Sequence, residues 1–347
     1  MNERRALLVG GGHTHSLALL RFARRPPPAR LVLVSDSEFA PYSGMLPGEI
    51  AGQFSRAECL IDLPRLCARA GAEFRRATAV SINCKKREVL FADGGGERFD
   101  LLSLNVGGAP RPPFSAPGVA AKPATAFMDF AAALPSDSEL AIVGAGAGGV
   151  EIALALRRRF AAAKISLVGE LLPAANDGVR RRLRALIRAR DISLLESAAE
   201  EFCGGAVSLA DGRRAAARAV IFATPVAAPE WLRNGDLILD AEGFVRVNSF
   251  LQSESSPAVF AAGDCAASGA DKSGVVAVRQ APVLAFNIAA FLSATPLRPW
   301  RPRRRFLSIL NTADGRAVAG WGGFSASGAW VWKWKKYLDK KFMNLFR

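Results

Sequence analysis

The chain has 347 residues, half of them hydrophobic, and a formal net charge of +15. This length gives room for two domains of ordinary size, and the hydrophobic fraction supplies a sizeable core, which excludes a disordered chain. The basic excess indicates an acidic partner, such as an anionic lipid surface, a nucleic acid or a polyphosphate ligand, although a solvated basic surface explains it equally well.

The cysteines and histidines limit the chemistry. Five cysteines without a close pair argue against a disulfide scaffold, a zinc site and the redox pair of a disulfide reductase. With only two histidines, we predict no metal site. The N-terminus lacks the apolar region of a signal peptide, and no uninterrupted apolar run reaches about 18 residues. We therefore predict a cytoplasmic protein without a transmembrane helix.

The first predicted elements form a βαβ unit. Residues 5–10 are predicted as a buried parallel strand, 13–23 as a helix and 31–35 as a second apolar strand. The turn after the first strand contains Gly10 and Gly12 of a dinucleotide-binding fingerprint.

This first fingerprint departs from the usual pattern at two places. His15 occupies the third glycine position, where a large side chain either loosens helix packing or points toward a ligand. Ser35 stands where an acidic residue usually binds ribose, and Asp36 follows it. We predict that His13, Ser35 and Asp36 line the ligand site, and whether His13 and His15 contact the ligand or only pack stays open.

The next loop, over residues 39–48, is rich in turn formers and unusually apolar. It either covers a planar cofactor, with Pro41 in contact, or is a packed connector. The other expectations in this region are a helix over 62–70, short antiparallel strands within 78–91 and over 98–104, a turn at 93–96, and a linker over 106–117.

A second dinucleotide unit begins near Glu139. An apolar strand runs into Gly144-x-Gly146-x-x-Gly149 and then into a long Ala/Leu-rich helix. The first glycine makes the tight turn, the second lets the backbone approach a pyrophosphate, and the third lets the helix pack on the strand. The helix start offers N–H groups and a positive dipole end to phosphates. Gly144 lies 134 residues after Gly10, which indicates a duplicated nucleotide-binding fold.

The donor specificity of this unit is predicted from its second strand, over 165–168. Gly169 takes the usual acidic position and Glu170 follows. A carboxylate here accepts hydrogen bonds from a ribose diol and repels a 2′-phosphate, which favours NADH over NADPH, although arginines 180–182 lie close behind. The unit continues with a basic helix over 177–190 and a buried strand over 219–225.

A third signal follows at 258–264, where an apolar strand ends in Gly263-Asp264. The aspartate is placed to accept a hydrogen bond from a ribityl hydroxyl, and Gly263 permits close backbone approach. A helix is predicted to open at 279–282, with Pro282 in its first turn, and to aim its positive end at a flavin ring.

The tail holds much of the positive charge. From Arg298 onward there are twelve basic residues and two acidic ones. A hairpin is predicted from strands 305–310 and 316–321, followed by a helix over 330–346. Its predicted apolar face comprises Trp330, Val331, Trp334, Leu338, Phe342 and Leu345. Its predicted basic face comprises Lys333, Lys336, Lys340 and Arg347.

Such a helix is typical of one that lies in an anionic membrane interface. The alternatives are packing on the body of the protein or on a second subunit in a homodimer. The membrane interpretation predicts that deletion of the residues after Gly328 abolishes liposome binding and leaves FAD bound.

With these motifs together, nearly the whole chain resembles the two-dinucleotide-binding flavoproteins, a pyridine nucleotide-disulfide oxidoreductase-like family. Within it, the chain resembles the type II NADH dehydrogenase group and is most similar to the module fused ahead of selenophosphate synthetase. The segments that carry this closer similarity are 10–15, 41–48, 278–282 and 328–332. Sulfide:quinone reductases share the architecture but need redox cysteines, which have no obvious counterpart here.

The resemblance implies an α/β fold with two Rossmann-like domains. The FAD domain would comprise 1–118 and 236–297, the inserted NAD(P)H domain 119–235, and a C-terminal hairpin and amphipathic helix 298–347. It implies an FAD site at Gly10, Gly12, Gly263 and Asp264 with Gln280 near the ring system. It also implies an NAD(P)H site at Gly144, Gly146, Gly149 and Glu170, with Glu151 near the nicotinamide.

The predicted function is an FAD-dependent NAD(P)H dehydrogenase, with NADH favoured, that passes electrons to a quinone. Its predicted location is peripheral, on the inner face of the cell membrane. One alternative is a soluble flavin reductase linked to selenium or sulfur metabolism. Another is a flavin-bearing binding protein whose basic tail docks on nucleic acid or a protein partner; nucleic acid is the less favoured partner.

Overall fold

The structure is a computed structural model, and it describes residues 4–302 and 306–347. Its helices, in chain order, are α1 (His13–Phe22), α2 (Leu46–Ile50), α3 (Leu63–Arg69), α4 (Ala124–Ala133), α5 (Ala147–Arg159), α6 (Asp177–Ala189), α7 (Gly274–Leu292) and α8 (Ala329–Met343). Short 3₁₀ helices cover Arg56–Cys59, Glu230–Arg233 and Gly263–Cys265.

The strands of the first half are β1 (Arg5–Val9), β2 (Arg30–Ser35), β3 (Phe39–Pro41), β4 (Leu60–Asp62), β5 (Glu73–Arg76), β6 (Ala79–Asn83), β7 (Glu88–Phe91), β8 (Gly96–Arg98), β9 (Leu101–Leu104), β10 (Gly118–Ala120), β11 (Glu139–Val143) and β12 (Lys164–Val168). Those of the second half are β13 (Ile192–Leu195), β14 (Ala199–Cys203), β15 (Ala206–Leu209), β16 (Arg214–Ala216), β17 (Ala219–Phe222), β18 (Val245–Arg246), β19 (Val259–Ala261), β20 (Ala266–Ala267), β21 (Ser308–Asn311), β22 (Ala317–Trp321) and β23 (Phe324–Gly328).

Two parallel sheets of five strands form the framework. The first has the order β19-β9-β1-β2-β5, and the second has the order β10-β17-β11-β12-β13. The central strands of both sheets are apolar runs because they are buried on both faces: helices pack on one face, and a three-stranded antiparallel sheet, β6-β7-β8 or β14-β15-β16, packs on the other. In the first sheet β1, which precedes a glycine turn, lies between β2 and β9. In the second sheet β11, which precedes the other glycine turn, lies between β12 and β17. In both cases one neighbour is the next strand of the βαβ unit and the other comes from later in the chain. This is the switch point at which such sheets bind ligands.

The direction of one strand was predicted wrongly. Residues 98–104 do not form one antiparallel strand, since Arg98 ends β8 while β9 is a parallel strand beside β1. All four residues of β9 are buried, and such a run fits the centre of a parallel sheet. Within residues 78–104 the predicted antiparallel pairing holds for β6, β7 and β8.

Helix α7 also begins earlier than predicted. It starts at Gly274, where the Ser273 side chain accepts a hydrogen bond from the Val276 N–H, and Pro282 therefore lies inside the helix instead of in its first turn. By length and composition α7 is the only helix in the described part of the chain that is able to span a membrane, yet half of that stretch is buried in the protein.

The C-terminal segment adds a three-stranded antiparallel sheet, β21-β22-β23, where a two-stranded hairpin was predicted. Arg305, the first residue of the predicted hairpin, lies outside the described residues together with residues 303 and 304. Side chains tie this sheet to the second dinucleotide unit: the Asn176 amide donates to the carbonyls of Gly322 and Phe324, each at 2.9 Å. Helix α8 then packs on the core of the first unit through Val331, Trp332 and Met343.

Candidate functional site

A cleft of about 500 Å³ opens at the carboxyl ends of β1 and β2. Its volume is in the range of small-molecule sites, and its place is the switch point of the first sheet. The cleft brings together the predicted residues Gly10, Gly12, His13, Ser35, Asp36 and Pro41.

The first glycine turn is built around Asn105, which the sequence analysis missed. Gly10 has φ +96°, and a Cβ there would lie 2.4 Å from the Asn105 carbonyl oxygen; at Gly12 it would lie 2.3 Å from Asn105 Oδ1. That oxygen accepts the Thr14 N–H at 3.1 Å, while the amide nitrogen donates to the Ala262 carbonyl at 2.8 Å. Asn105 therefore joins the start of α1 to the strand that leads to Asp264. A polar residue directly after an apolar strand was the available signal.

His15 is a packing residue. Its ring is fully buried, with Nδ1 2.7 Å from the Gly10 carbonyl oxygen and Nε2 2.8 Å from Ser103 Oγ. Burial lowers the pKa of His15 to about 4, so the neutral ring donates from Nδ1 and accepts from the serine. The imidazole is therefore accommodated at the third glycine position as a buried, fully hydrogen-bonded side chain.

His13, in contrast, has a free nitrogen at the cleft. Its Nε2 is buried and has no hydrogen-bond partner in the described part of the chain. The ring meets Tyr42 edge-on at 5.5 Å between centroids. Burial is the main reason that the pKa of His13 is lowered to about 4, with nearby Asp264 opposing the shift and Lys122 adding to it. An orphaned nitrogen lining a dinucleotide-sized cleft suits a polar atom of a bound cofactor.

The Gly-Asp turn is held by two contacts that the sequence did not reveal. Asp264 is mostly buried and accepts a hydrogen bond from Lys122 Nζ at 2.6 Å. Gln280 is completely buried, and its Oε1 accepts the Gly263 N–H at 2.6 Å while its Nε2 donates to Ser268 Oγ at 2.9 Å. Gln280 therefore secures the turn that presents Asp264. The predicted place of Gln280 at a helix start is wrong, because α7 begins at Gly274.

The second glycine turn has the geometry that its three glycines predict. Gly144 has φ +111°, and a Cβ on Gly149 would lie 1.8 Å from the Gly144 carbonyl oxygen, so the helix packs directly on the turn. At Gly146 a Cβ would meet nothing within 4 Å, which leaves the backbone at the start of α5 open to a phosphate. Glu170 is exposed after Gly169, which has φ +120°.

Glu151, in the first turns of α5, faces the C-terminal sheet. Its carboxylate accepts the Asn311 N–H at 2.7 Å, and the Asn311 amide in turn donates to Gln53 at 2.7 Å. Burial raises the pKa of Glu151 to about 7, with Lys335 opposing the shift. A carboxyl with this pKa exchanges a proton near neutral pH.

A buried ion pair on α8 lies in the same region and was not predicted. Lys335 Nζ lies 3.1 Å from Asp339 Oδ2 and donates to the Gly44 carbonyl at 3.1 Å. The Tyr42 hydroxyl donates to Asp339 Oδ1 at 3.1 Å, and the Tyr42 ring stacks on Phe342 with centroids 4.6 Å apart. Two residues of the predicted membrane-facing side were therefore assigned wrongly: Val331 is completely buried, and Phe342 packs against the body of the protein.

The thiols are not arranged for redox chemistry. All five cysteines are free, and only Cys203 is exposed. Burial raises the pKa of Cys59, Cys67 and Cys84 to about 12 and that of Cys265 to about 11. Such thiols stay protonated and are poor nucleophiles.

Comparisons with known proteins agree with this geometry. The profile of the family described as "Pyridine nucleotide-disulphide oxidoreductase" matches residues 4–281. Mouse (Mus musculus) ferroptosis suppressor protein 1 is 24% identical over 328 residues, which cover 89% of this chain and 87% of the relative.

Solved structures share the fold at low sequence identity. The sulfide:quinone oxidoreductase of the hyperthermophilic bacterium Aquifex aeolicus superposes with a TM-score of 0.81 at 18% identity, covering 99% of this chain and 92% of the other. NDH2 from Plasmodium falciparum, solved with NADH, gives a TM-score of 0.78 at 12% identity, covering 99% and 97%.

The two glycine turns at switch points, the Gly-Asp turn and the family match over most of the chain lead to one assignment. They confirm the resemblance and the two-Rossmann α/β fold predicted from the sequence, and the site residues fit FAD and NAD(P)H as cofactors. The chain belongs to the pyridine nucleotide-disulphide oxidoreductase family and is an FAD-dependent NAD(P)H oxidoreductase.

Proposed function

We propose that this oxidoreductase passes electrons from NADH to a quinone at an anionic membrane surface. The observation that carries the proposal is an outward stripe of large apolar side chains along α8. Its members in α8 are Trp330, Trp334, Tyr337 and Leu338, and Leu345 continues it just after the helix; all five are 39–60% exposed. The spacing of the four helical members places them on one face of α8, and lysines flank that face, as in helices that lie in a membrane interface.

Another side of α8 contacts the lining of the first cleft, since the Phe342 ring lies 6.1 Å from the His13 ring between centroids. Phe342 stacks on Tyr42, whose ring meets His13 of the cleft lining. Only the thickness of α8 would therefore separate the membrane from the cofactor cleft, which is a short distance for a lipid-soluble acceptor to cross. The similarity in fold to a sulfide:quinone oxidoreductase supports a quinone as the acceptor. All five cysteines are free and four of them are buried, which argues against sulfide as the donor.

The residues of the site would have the following roles. Gly10, Gly12, Asp36 and Asp264 would hold FAD, with Gln280 fixing the turn of Asp264. Bound FAD supplies hydride acceptance from a nicotinamide and electron delivery to the acceptor. Glu151 would lie near the nicotinamide, as the resemblance implies, and its raised pKa would let it exchange a proton there near neutral pH.

The proposal includes a division into domains. β19 pairs with β9 of the first sheet although the whole second sheet intervenes in the chain. This return supports an FAD domain of residues 1–118 and 236–297, interrupted by an NAD(P)H domain of 119–235 and followed by the C-terminal segment 298–347. In the second unit Gly144, Gly146, Gly149 and Glu170 would bind the nucleotide, and the exposed Glu170 would favour NADH by repelling a 2′-phosphate.

Anaerobic titration tests the donor. NADH should bleach the visible flavin absorption of the purified protein faster than NADPH, and a short-chain quinone should restore it. Glu170→Arg should reverse the preference between the two donors, because the guanidinium attracts the 2′-phosphate. A flavin band that neither donor bleaches would contradict the function, and unchanged preference in Glu170→Arg would contradict the role of Glu170.

Liposome flotation tests the membrane surface. Trp330→Ser/Trp334→Ser/Tyr337→Ser should abolish flotation with anionic vesicles and leave bleaching by NADH unchanged, because these side chains point away from the body. The control is Leu90→Ser/Ile238→Ser, which removes exposed apolar side chains, 41% and 42% exposed, from other parts of the surface. Equal flotation of the two variants would contradict the docking surface.

Point substitutions are needed because the predicted deletion is not a clean test. Removal of the residues after Gly328 would also strip Val331, Trp332 and Met343 from the main core and Lys335 from its buried ion pair. A truncated chain would therefore lose stability as well as the stripe.

A further inference from the structure

A second cleft, of about 680 Å³, lies between the C-terminal halves of α1 and α7. Its lining is mainly apolar and includes Leu17, Leu20, Phe22, Ala285, Phe286 and Ala289. The two clefts share no lining residue: His13 at the start of α1 lines the cofactor cleft, whereas the second cleft is lined from Leu17, midway along α1, to Arg25 beyond its end. A ten-residue helix is about 15 Å long, so the second cleft is a separate site.

Three arginines form the rim of this apolar cleft. Arg21, Arg24 and Arg25 all line it, and all three are exposed. In the described part of the chain none of their side chains has a hydrogen bond or an ion pair. Like charges this close repel one another, and a planar guanidinium group suits a phosphate or carboxylate partner. The rim is therefore complementary to an anionic group.

The cleft is continuous with the apolar stripe of α8. Leu345, the last member of the stripe, also lines the cleft and is 44% exposed. The chain end is fixed there, since Arg69 donates to the carbonyls of Leu345 and Arg347 at 3.4 and 3.2 Å. The stripe and the arginine-rimmed cleft thus meet at one edge of the molecule.

We propose that this cleft binds one acyl chain of an anionic membrane phospholipid, with the phosphate held by Arg21, Arg24 and Arg25. The proposal extends the membrane docking of the proposed function and adds a discrete site for one lipid. An apolar floor accepts the chain, and the arginines select an anionic over a zwitterionic headgroup. The bound lipid would then anchor the edge of the protein at which Leu345 lies.

Native mass spectrometry of the flavin-loaded full chain tests the site. The probes are lysophosphatidylglycerol and lysophosphatidylcholine, both below their micelle-forming concentrations. We expect one bound lysophosphatidylglycerol per chain and at least about tenfold weaker binding of lysophosphatidylcholine. Equal binding of the two lipids, or no saturation at one per chain, would overturn the proposal.

Two variants assign the binding to the cleft. Ala289→Trp should block it by filling the apolar floor, and Arg21→Glu/Arg24→Glu/Arg25→Glu should lower the affinity for lysophosphatidylglycerol at least about tenfold. The control with the same change in net charge is Arg158→Glu/Arg181→Glu/Arg188→Glu, at exposed positions of α5 and α6. Flavin content per chain reports folding in each variant. Unaltered binding in both cleft variants would overturn the site.

The failure of this proposal and that of membrane docking are distinguishable. The Trp330→Ser/Trp334→Ser/Tyr337→Ser variant should keep lysophosphatidylglycerol binding even where it loses flotation, because none of the three residues lines the cleft. If the chain forms a dimer that Ala289→Trp dissociates and that added lipid leaves intact, the cleft binds a second copy of the chain. That result would overturn the lipid site.

Discussion

At the scale of single residues, Glu151 shows how burial sets chemistry. It lies two residues after the last fingerprint glycine, and its carboxylate has one backbone donor, Asn311, and an attractive charge on Lys335. Burial outweighs both and raises its pKa from 4.5 to about 7. A group that is protonated in the folded chain and ionised in the unfolded chain makes stability depend on pH.

The sign of that dependence gives a prediction. Between pH 4.5 and 7 the folded state holds the Glu151 proton and the unfolded state releases it, so the free energy of unfolding falls as pH rises through this window. Glu151→Gln keeps an acceptor for Asn311 and removes the titration. Relative to the parent protein, its free energy of unfolding should therefore rise by up to about 1.4 kcal/mol per pH unit.

Denaturant unfolding at equal flavin occupancy checks this across the same pH window. His13 and His15 act in the opposite direction, because their lowered pKa values add stability that is present above pH 6.5 and lost as pH falls toward about 4. Both histidines are present in both proteins, so their contribution cancels in the difference. Parallel stability curves for the two proteins would show that Glu151 does not titrate in this range.

At the scale of elements, the helix α5 depends on the absence of one side chain. A Cβ on Gly149 would lie 1.8 Å from the Gly144 carbonyl oxygen, a backbone atom that cannot give way unless the helix moves. The neighbouring Gly148, in the same first turn, faces open space. The two positions therefore separate helix packing from the general effect of adding a methyl group.

Gly149→Ala should displace α5 and the phosphate-facing N–H groups at its start. We expect the rate of flavin bleaching by NADH to fall about 100-fold, since misplacement by 1 Å costs that much, while FAD stays bound in the first unit. Gly148→Ala is the control and should be neutral or stabilise by up to about 1 kcal/mol. Similar bleaching rates in both variants would mean that α5 tolerates the contact.

At the scale of the whole molecule, the C-terminal helix α8 packs on the N-terminal part of the chain, around Tyr42 and Gly44. Lys335 and Asp339 form a buried ion pair whose other contacts are the Gly44 carbonyl and the Tyr42 hydroxyl. Removal of one partner from such a pair leaves an uncompensated buried charge, whereas replacement of both by apolar residues is often neutral. The pair therefore ties stability to the docking of α8.

Lys335→Met should lower the free energy of unfolding by about 3–5 kcal/mol, because Asp339 then lacks its partner. Lys335→Met/Asp339→Leu should recover most of that loss. Lys333→Met, at an exposed position of the same helix, is the control and should change stability by less than about 0.5 kcal/mol. Thermal and denaturant unfolding measure all three, and a full loss in the double variant would contradict this account.

The two glycine turns, with the strands and helices that flank them, could be predicted from the sequence alone. In these turns the causes are local: Gly144 needs a positive φ, and Gly149 must pack on a residue only five positions away. Hydrophobic runs and turn residues record such constraints directly. The family could be predicted for the same reason, since its motifs are these local units in a fixed order.

The contacts between residues distant in the chain could not be predicted from the sequence, because they depend on how the whole chain packs. The amide of Asn105 caps a helix 91 positions earlier, and Lys335 contacts a carbonyl 291 positions away. The direction of β9, the start of α7 and the buried face of α8 depend in the same way on partners that no periodicity specifies. A polar residue such as Lys335 is equally compatible with solvent until packing provides its partners, so the buried polar groups around the site are a property of the fold.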